Sequence, residues 1–169
     1  MPDTGMPWPN NLVIRFAQPD DVPTLFSLIN ALAEYEQLSH CVTGSADALA
    51  IHLFGDRPCI EAIVATCEDR AVGFALFFTN YSTFLTKPGL YLEDLFVLPD
   101  YRSQGIGKAL LRYIAQLALQ RDYGRIEWSV LDWNAPAIGF YQRMGATVLP
   151  DWRICRVTGK AIGQLAMRE

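Results

Sequence analysis

Residues 97–108, VLPDYRSQGIGK, place a strand-like run, a turn, two glycines and the start of a long helical pattern in immediate succession. A helix start carries unpaired backbone N–H groups and a partial positive charge, and glycines let an anion come close to them. The chemistry such a turn offers is phosphate binding; the plain alternative is a glycine turn that merely starts a helix. Two familiar phosphate loops are excluded by position. A Walker loop needs Gly where Arg102 stands and Ser or Thr where Ala109 stands, and a dinucleotide fingerprint needs Gly at Leu110. Just upstream, Glu93 and Asp94 are adjacent carboxylates inside a largely apolar run, which a regular strand directs to opposite faces. Downstream, Tyr141 offers a phenol that stays protonated at neutral pH, and Asn134 is placed to cap a helix. Cys59 and Cys67 flank an apolar strand, and His40 and His52 have no recognisable partner pattern, so the cysteines read as inert thiols and not as nucleophiles. No metal-ligand spacing stands out.

These residues need a scaffold, and the pattern of the chain supplies one. Residues 12–16 read as a first strand, and Asp20 and Asp21 offer a helix cap ahead of Pro23. Leu25, Leu28, Ile29, Leu32 and Tyr35 then recur at helical spacing, predicting a helix to about Gln37. Residues 45–54 form a second, shorter helical pattern. Residues 60–66 and 72–80, joined at a turn over 68–70, read as an antiparallel hairpin, and residues 90–98 as a further strand. A helix over 105–120 and a β-rich run at 125–131 complete a strand–helix–strand unit. Asn134 and Pro136 open a last helix that Gly145 stops, and the short runs 147–149 and 152–157 are expected to end the sheet. The class is α/β, with a mixed, mostly antiparallel central sheet and flanking helices.

At 169 residues the chain fits one domain, expected over 12–169, with residues 1–11, rich in Pro, read as a flexible N-terminal arm. With 51% hydrophobic and 19% charged residues it is far from the disordered classes. Its 18 acidic against 14 basic side chains disfavour nucleic acid and anionic membrane as partners. No apolar run is long enough to span a bilayer and the first residues lack a secretory pattern, so a cytoplasmic protein is expected.

The motif R-x-x-G-x-G, matched by Arg102, Gly105 and Gly107, resembles the pyrophosphate loop of the GNAT superfamily of acyl-coenzyme A dependent N-acetyltransferases. LYLEDLFV at 90–97, YSTF at 81–84, VLDWN at 130–134, F-Y-x-x-x-G-A at 140–146 and the segment around Trp152 are similar to the diamine and thialysine acetyltransferase branch. The resemblance implies a GNAT-like fold and transfer of an acetyl group from acetyl-CoA to a primary amine of a small molecule, a polyamine or a lysine-like amine such as thialysine, by direct attack. Peptide acetylation and a non-catalytic acyl-CoA binding module stand as alternatives. The resemblance places the coenzyme on Leu95, Phe96 and Val97, on Arg102, Ser103, Gln104, Gly105, Ile106, Gly107 and Lys108, and on Asn134, Pro136, Ala137 and Tyr141. It implies Glu93 in deprotonation of the amine and Tyr141 as general acid, with Tyr35, Glu36, Glu93, Asp94 and Trp152 around the acceptor, and it expects a backbone N–H near Leu95, at a strand bulge, to face the oxyanion. Relatives of that branch are usually homodimers. Ser103 departs from the glycine usual there, and a positive φ at a serine is strained.

Overall fold

A computed structural model describes residue 9 and residues 11–168; the arm expected over residues 1–11 lies almost wholly outside the described residues. The chain forms two compact units, one ending at Ser129 and the other beginning at Val130. In the first, β1 (Leu12–Phe16) leads through a short turn to α1 (Val22–Tyr35) and α2 (Ala46–Phe54). The strands β2 (Glu61–Cys67), β3 (Arg70–Ser82) and β4 (Lys87–Val97) follow, then α3 (Ile106–Gln120) and β5 (Ile126–Trp128). The sheet order is β1-β2-β3-β4-β5, with every neighbouring pair antiparallel except the last. This is the mixed, mostly antiparallel sheet that the pattern predicts.

Local chemistry explains why the elements begin where they do. Asp21, expected to cap a helix, instead receives both terminal nitrogens of Arg15 at 2.6 and 2.9 Å and the Gln18 N–H at 2.7 Å, tying the end of β1 to the start of α1. The Arg15 guanidinium holds the Asp21 carboxyl below its ordinary range. Ser45 caps α2 by accepting from the Ala48 N–H. Glu68 and Asp69, both at positive φ, make the tight turn between β2 and β3.

The middle strands β2, β3 and β4 bury residues on both of their faces. Val64, Phe74, Leu76 and Phe96 on one side pack with Val22, Leu25 and Leu28 of α1 and Leu53 of α2. α3 buries Ile106, Leu110, Ile114 and Leu117, and it packs against β4. Each fully withdrawn aliphatic side chain contributes about 1.5–3 kcal/mol. Gly89 lets β4 lie close to Arg125, since a Cβ there would meet Asn80 Oδ1 at 2.8 Å and the Arg125 carbonyl at 2.9 Å.

Several boundaries differ from the sequence expectation. α1 ends at Tyr35, because Gln37 turns to φ 61°. β5 keeps only three residues. In the second unit, α4 (Ala135–Arg143) is not the last helix, and α5 (Lys160–Ala166) follows. The runs 147–149 and 152–157, expected as strands, form none. A β-rich triplet before Pro150 has no ladder of its own, and strand formation depends on a partner edge that local propensity does not supply. No helix among the described residues is long and apolar enough to cross a membrane.

Candidate functional site

The decisive local feature is a bulge in β4. Leu92 pairs with Phe77 and Asp94 with Leu76, so Glu93 stands unopposed. Its effect shows in the backbone hydrogen bonds. The Leu90 N–H donates towards β5, to the Arg125 carbonyl at 3.0 Å, whereas the Leu98 N–H donates towards β3, to the Val72 carbonyl at 2.9 Å. In a regular strand residues of the same parity donate to the same edge. The extra residue reverses that parity, so beyond it Leu95 and Val97 turn their N–H groups to the β5 side. There β5 has already ended, its pairing covering only Leu90 to Leu92. The bulge that the resemblance implies near Leu95 is therefore present at Glu93, and it opens a strand edge with two amides on it.

The same bulge re-aims the side chains. Leu76, the partner of Asp94, lies in the core beneath α1, while Leu92 and Phe77 belong to the other face. Asp94 is thus turned towards the α1 side, where α1 ends in Tyr35 and Glu36. Burial first, and then the negative charges of Glu93 and Glu36, push the Asp94 carboxyl up to about 7. Burial also raises Glu36. The expectation that Glu93 and Asp94 point to opposite faces assumes a regular strand, and the bulge removes that condition. Glu93 itself is exposed.

After β4 the chain turns at residues 99–101 into the glycine loop. Ser103 and Gly105 both hold positive φ, 60° and 84°, with Gln104 between them, and no side chain caps α3 at Gly105. Successive turns of this kind aim backbone N–H groups into a concavity suited to an anion, and the first turn of α3 adds the amides of Ile106, Gly107 and Lys108. The serine does carry the strain foreseen for it, a cost of about 1–2 kcal/mol. The Arg102 side chain is engaged by the protein: its Nε donates to the Val97 carbonyl at 2.9 Å and its guanidinium lies over the Tyr35 and Phe96 rings.

The first unit therefore brings together Tyr35, Glu36, Glu93, Asp94, the Leu95–Val97 edge and the loop from Arg102 to Lys108. In the second unit, Asn134 is buried and its Oδ1 accepts from the Ala137 N–H at 3.3 Å, so the capping role is realised. Pro136 lies in the first turn of α4. Tyr141 is half-buried on α4, its ring 5.3 Å from that of Phe140, and Trp152 is 75% exposed. A cavity of about 500 Å³, lined by Phe16, Leu53, Phe54, Ile60 and Phe78 among others, contains none of the candidate residues, so volume is no guide to chemistry here. Sequence reasoning missed the rings under Arg102, and nothing local signals them, because Tyr35 and Phe96 reach it from α1 and β4.

Comparison with known proteins agrees with this geometry. Residues 26–146 match the Acetyltransferase (GNAT) family, and the chain belongs to it. It is 34% identical to an L-ornithine N5-acetyltransferase of Arabidopsis thaliana, covering 95% of this chain and 96% of that one. It is 36% identical to a thialysine N-epsilon-acetyltransferase of Mus musculus, covering 92% and 97%. Among solved structures, an integron cassette protein from the mobile metagenome of V. cholerae superposes with a TM-score of 0.78 at 24% identity, over 97% of this chain and 100% of that one. The chain is an acetyltransferase of the GNAT fold.

Proposed function

We propose that the protein transfers the acetyl group of acetyl-CoA to a primary amine of a small molecule, by direct attack with both substrates bound. The observation that carries this reading is the bulge at Glu93, which with one inserted residue exposes the Leu95 and Val97 amides on an open edge and turns Asp94 towards Glu36. The residues present suit acetyl-CoA: an open strand edge for an extended amide-bearing arm and a positive-φ loop at an uncapped helix start for a diphosphate. Leu95, Phe96, Val97 and the loop from Ser103 to Lys108 hold it, and the resemblance assigns Asn134, Pro136, Ala137 and Tyr141 to the same coenzyme. Bound there, it supplies an activated acetyl thioester. The similarity of the chain to ornithine and thialysine acetyltransferases favours an amine on a short alkyl chain. Residues 12–169 are read as one acetyltransferase domain, in keeping with a family match that runs across Ser129 and Val130.

An alkyl ammonium has a pKa of about 10.4 and must lose a proton before it can attack. The sequence reading gives that task to Glu93 and places the cation at Asp94. The burial pattern favours a different division: Asp94, which titrates near neutrality, takes the proton, and Glu93, exposed at the bulge, relays it to water. Glu36 and the face of Tyr35 attract the aminoalkyl cation, a task the resemblance also gives to Trp152. The Leu95 N–H donates to the oxygen that becomes negative, and the Tyr141 hydroxyl gives its proton to the departing sulfur.

A panel of ornithine, lysine, thialysine, spermidine, spermine and a lysine-containing peptide, assayed by release of free thiol, tests the assignment. Turnover is expected with the short amino-acid side-chain amines above the polyamines and the peptide; turnover of the peptide alone, or of nothing despite coenzyme binding, refutes it. The reading extends to a cytoplasmic homodimer. Four free thiols suit a reducing compartment, and the second unit exposes Trp152, Ile154, Ile162 and Leu165. Sedimentation at micromolar concentration is expected to give about 38 kDa, twice the 18.9 kDa chain mass, and a monomer contradicts it.

A further inference from the structure

Arg102 opens the R-x-x-G-x-G motif, yet three contacts fasten its side chain to the protein. The Nε donates to the Val97 carbonyl at 2.9 Å. The guanidinium carbon lies 4.3 Å from the centroid of the Tyr35 ring and 5.4 Å from that of Phe96. One planar group therefore joins the start of the glycine loop, the end of β4 and the end of α1. A guanidinium is suited to this task because it is rigid, permanently charged and able to stack and donate at once. The residue after Tyr35 is Glu36, whose charge acts on Asp94. The loop and the acceptor end of α1 are thus mechanically continuous through Arg102, within the first unit alone.

We propose that Arg102 is a positioning residue that couples the coenzyme loop to the acceptor end of α1, so that filling the loop steadies Tyr35 and Glu36 and tightens binding of the amine. The identities of the two ligands rest on the function proposed above. The coupling is reciprocal, with each ligand raising the affinity of the other by one factor.

Amide hydrogen exchange over residues 32–38, with and without coenzyme A, tests the coupling independently of turnover. Coenzyme A is expected to slow exchange there in the wild type and to have no such effect in Arg102→Met. Arg102→Lys, which keeps the charge and loses the planar fork, is expected to recover part of the protection, and Tyr35→Phe, which keeps the ring, to retain it. With the best amine of the panel, KM for that amine is expected to rise about tenfold in Arg102→Met, equivalent to about 1.4 kcal/mol, with kcat changed by less than about threefold. Tyr35→Leu is expected to act alike, and the double variant to be no worse than the worse single one. A raised coenzyme Kd with protection and amine KM as in the wild type makes Arg102 a phosphate contact and overturns the proposal. Additive single effects overturn it as well. Should Arg102→Met fail to fold by circular dichroism, Tyr35→Leu against Tyr35→Phe decides the matter at a half-exposed position. If no amine reacts, the proposed function fails, while the exchange readout still decides the coupling.

Discussion

Asp94→Asn is expected to lower kcat/KM for the amine by about 10²–10⁴-fold, the range a positioned proton acceptor contributes. The geometry sets a second, sharper expectation. With its carboxyl pushed up to about 7 by burial, Glu93 and Glu36, Asp94 is protonated below that pH and unable to accept a proton. The wild-type profile of kcat/KM should therefore fall tenfold per unit on the acid side of about pH 7, and that limb should vanish in Asp94→Asn. Glu93→Gln should retain the limb at a reduced level. A limb that survives in Asp94→Asn and is lost in Glu93→Gln would return the proton acceptor to Glu93.

The same substitution is expected to stabilise the protein at pH 8. A carboxyl raised from 3.8 to about 7 on folding binds its proton more tightly in the native state, so stability falls as pH rises between those values and levels off above the higher one. Asparagine removes the buried charge. The Tm of Asp94→Asn should exceed that of the wild type at pH 8, and the two should converge only below the unfolded value of 3.8, where the aspartate becomes neutral in both states. The shift sets an upper bound of about 4 kcal/mol on the difference, reduced because the carboxyl keeps some contact with water. Lost activity with gained stability separates a functional carboxylate from a structural one.

Tyr141→Phe is the second substitution with a large expected effect. On the proposed mechanism, removing the hydroxyl takes away the proton for the departing sulfur, and it leaves the ring against Phe140 in α4. The thiolate of a coenzyme is a tolerable leaving group, so kcat is expected to drop by about 10²–10³-fold and not to zero. The Kd of coenzyme A measured by calorimetry should change by less than about threefold, since the ring remains. Undiminished kcat removes Tyr141 from the chemistry. A large loss of coenzyme affinity at unchanged kcat makes it a binding residue only.

What the sequence determined by itself was whatever is encoded over a few consecutive residues. Apolar spacing along 22–35 and 106–120 yields two long amphipathic helices, Ser45 and Asn134 cap theirs, and the Glu68-Asp69 turn closes a hairpin. The R-x-x-G-x-G turn likewise marks its own place at the start of α3, since an uncapped first turn is a local property of the backbone. The tertiary structure alone decided the rest. Whether 147–149 and 152–157 become strands depends on an available edge, and the bulge at Glu93 exists only in the register between β3 and β4. From that register follow the free amides of Leu95 and Val97 and the inward turn of Asp94. Desolvation and the fields of Glu93 and Glu36 act through space, so the carboxyl of Asp94, which the sequence places only within a largely apolar strand, is pushed up to about 7 by its tertiary surroundings.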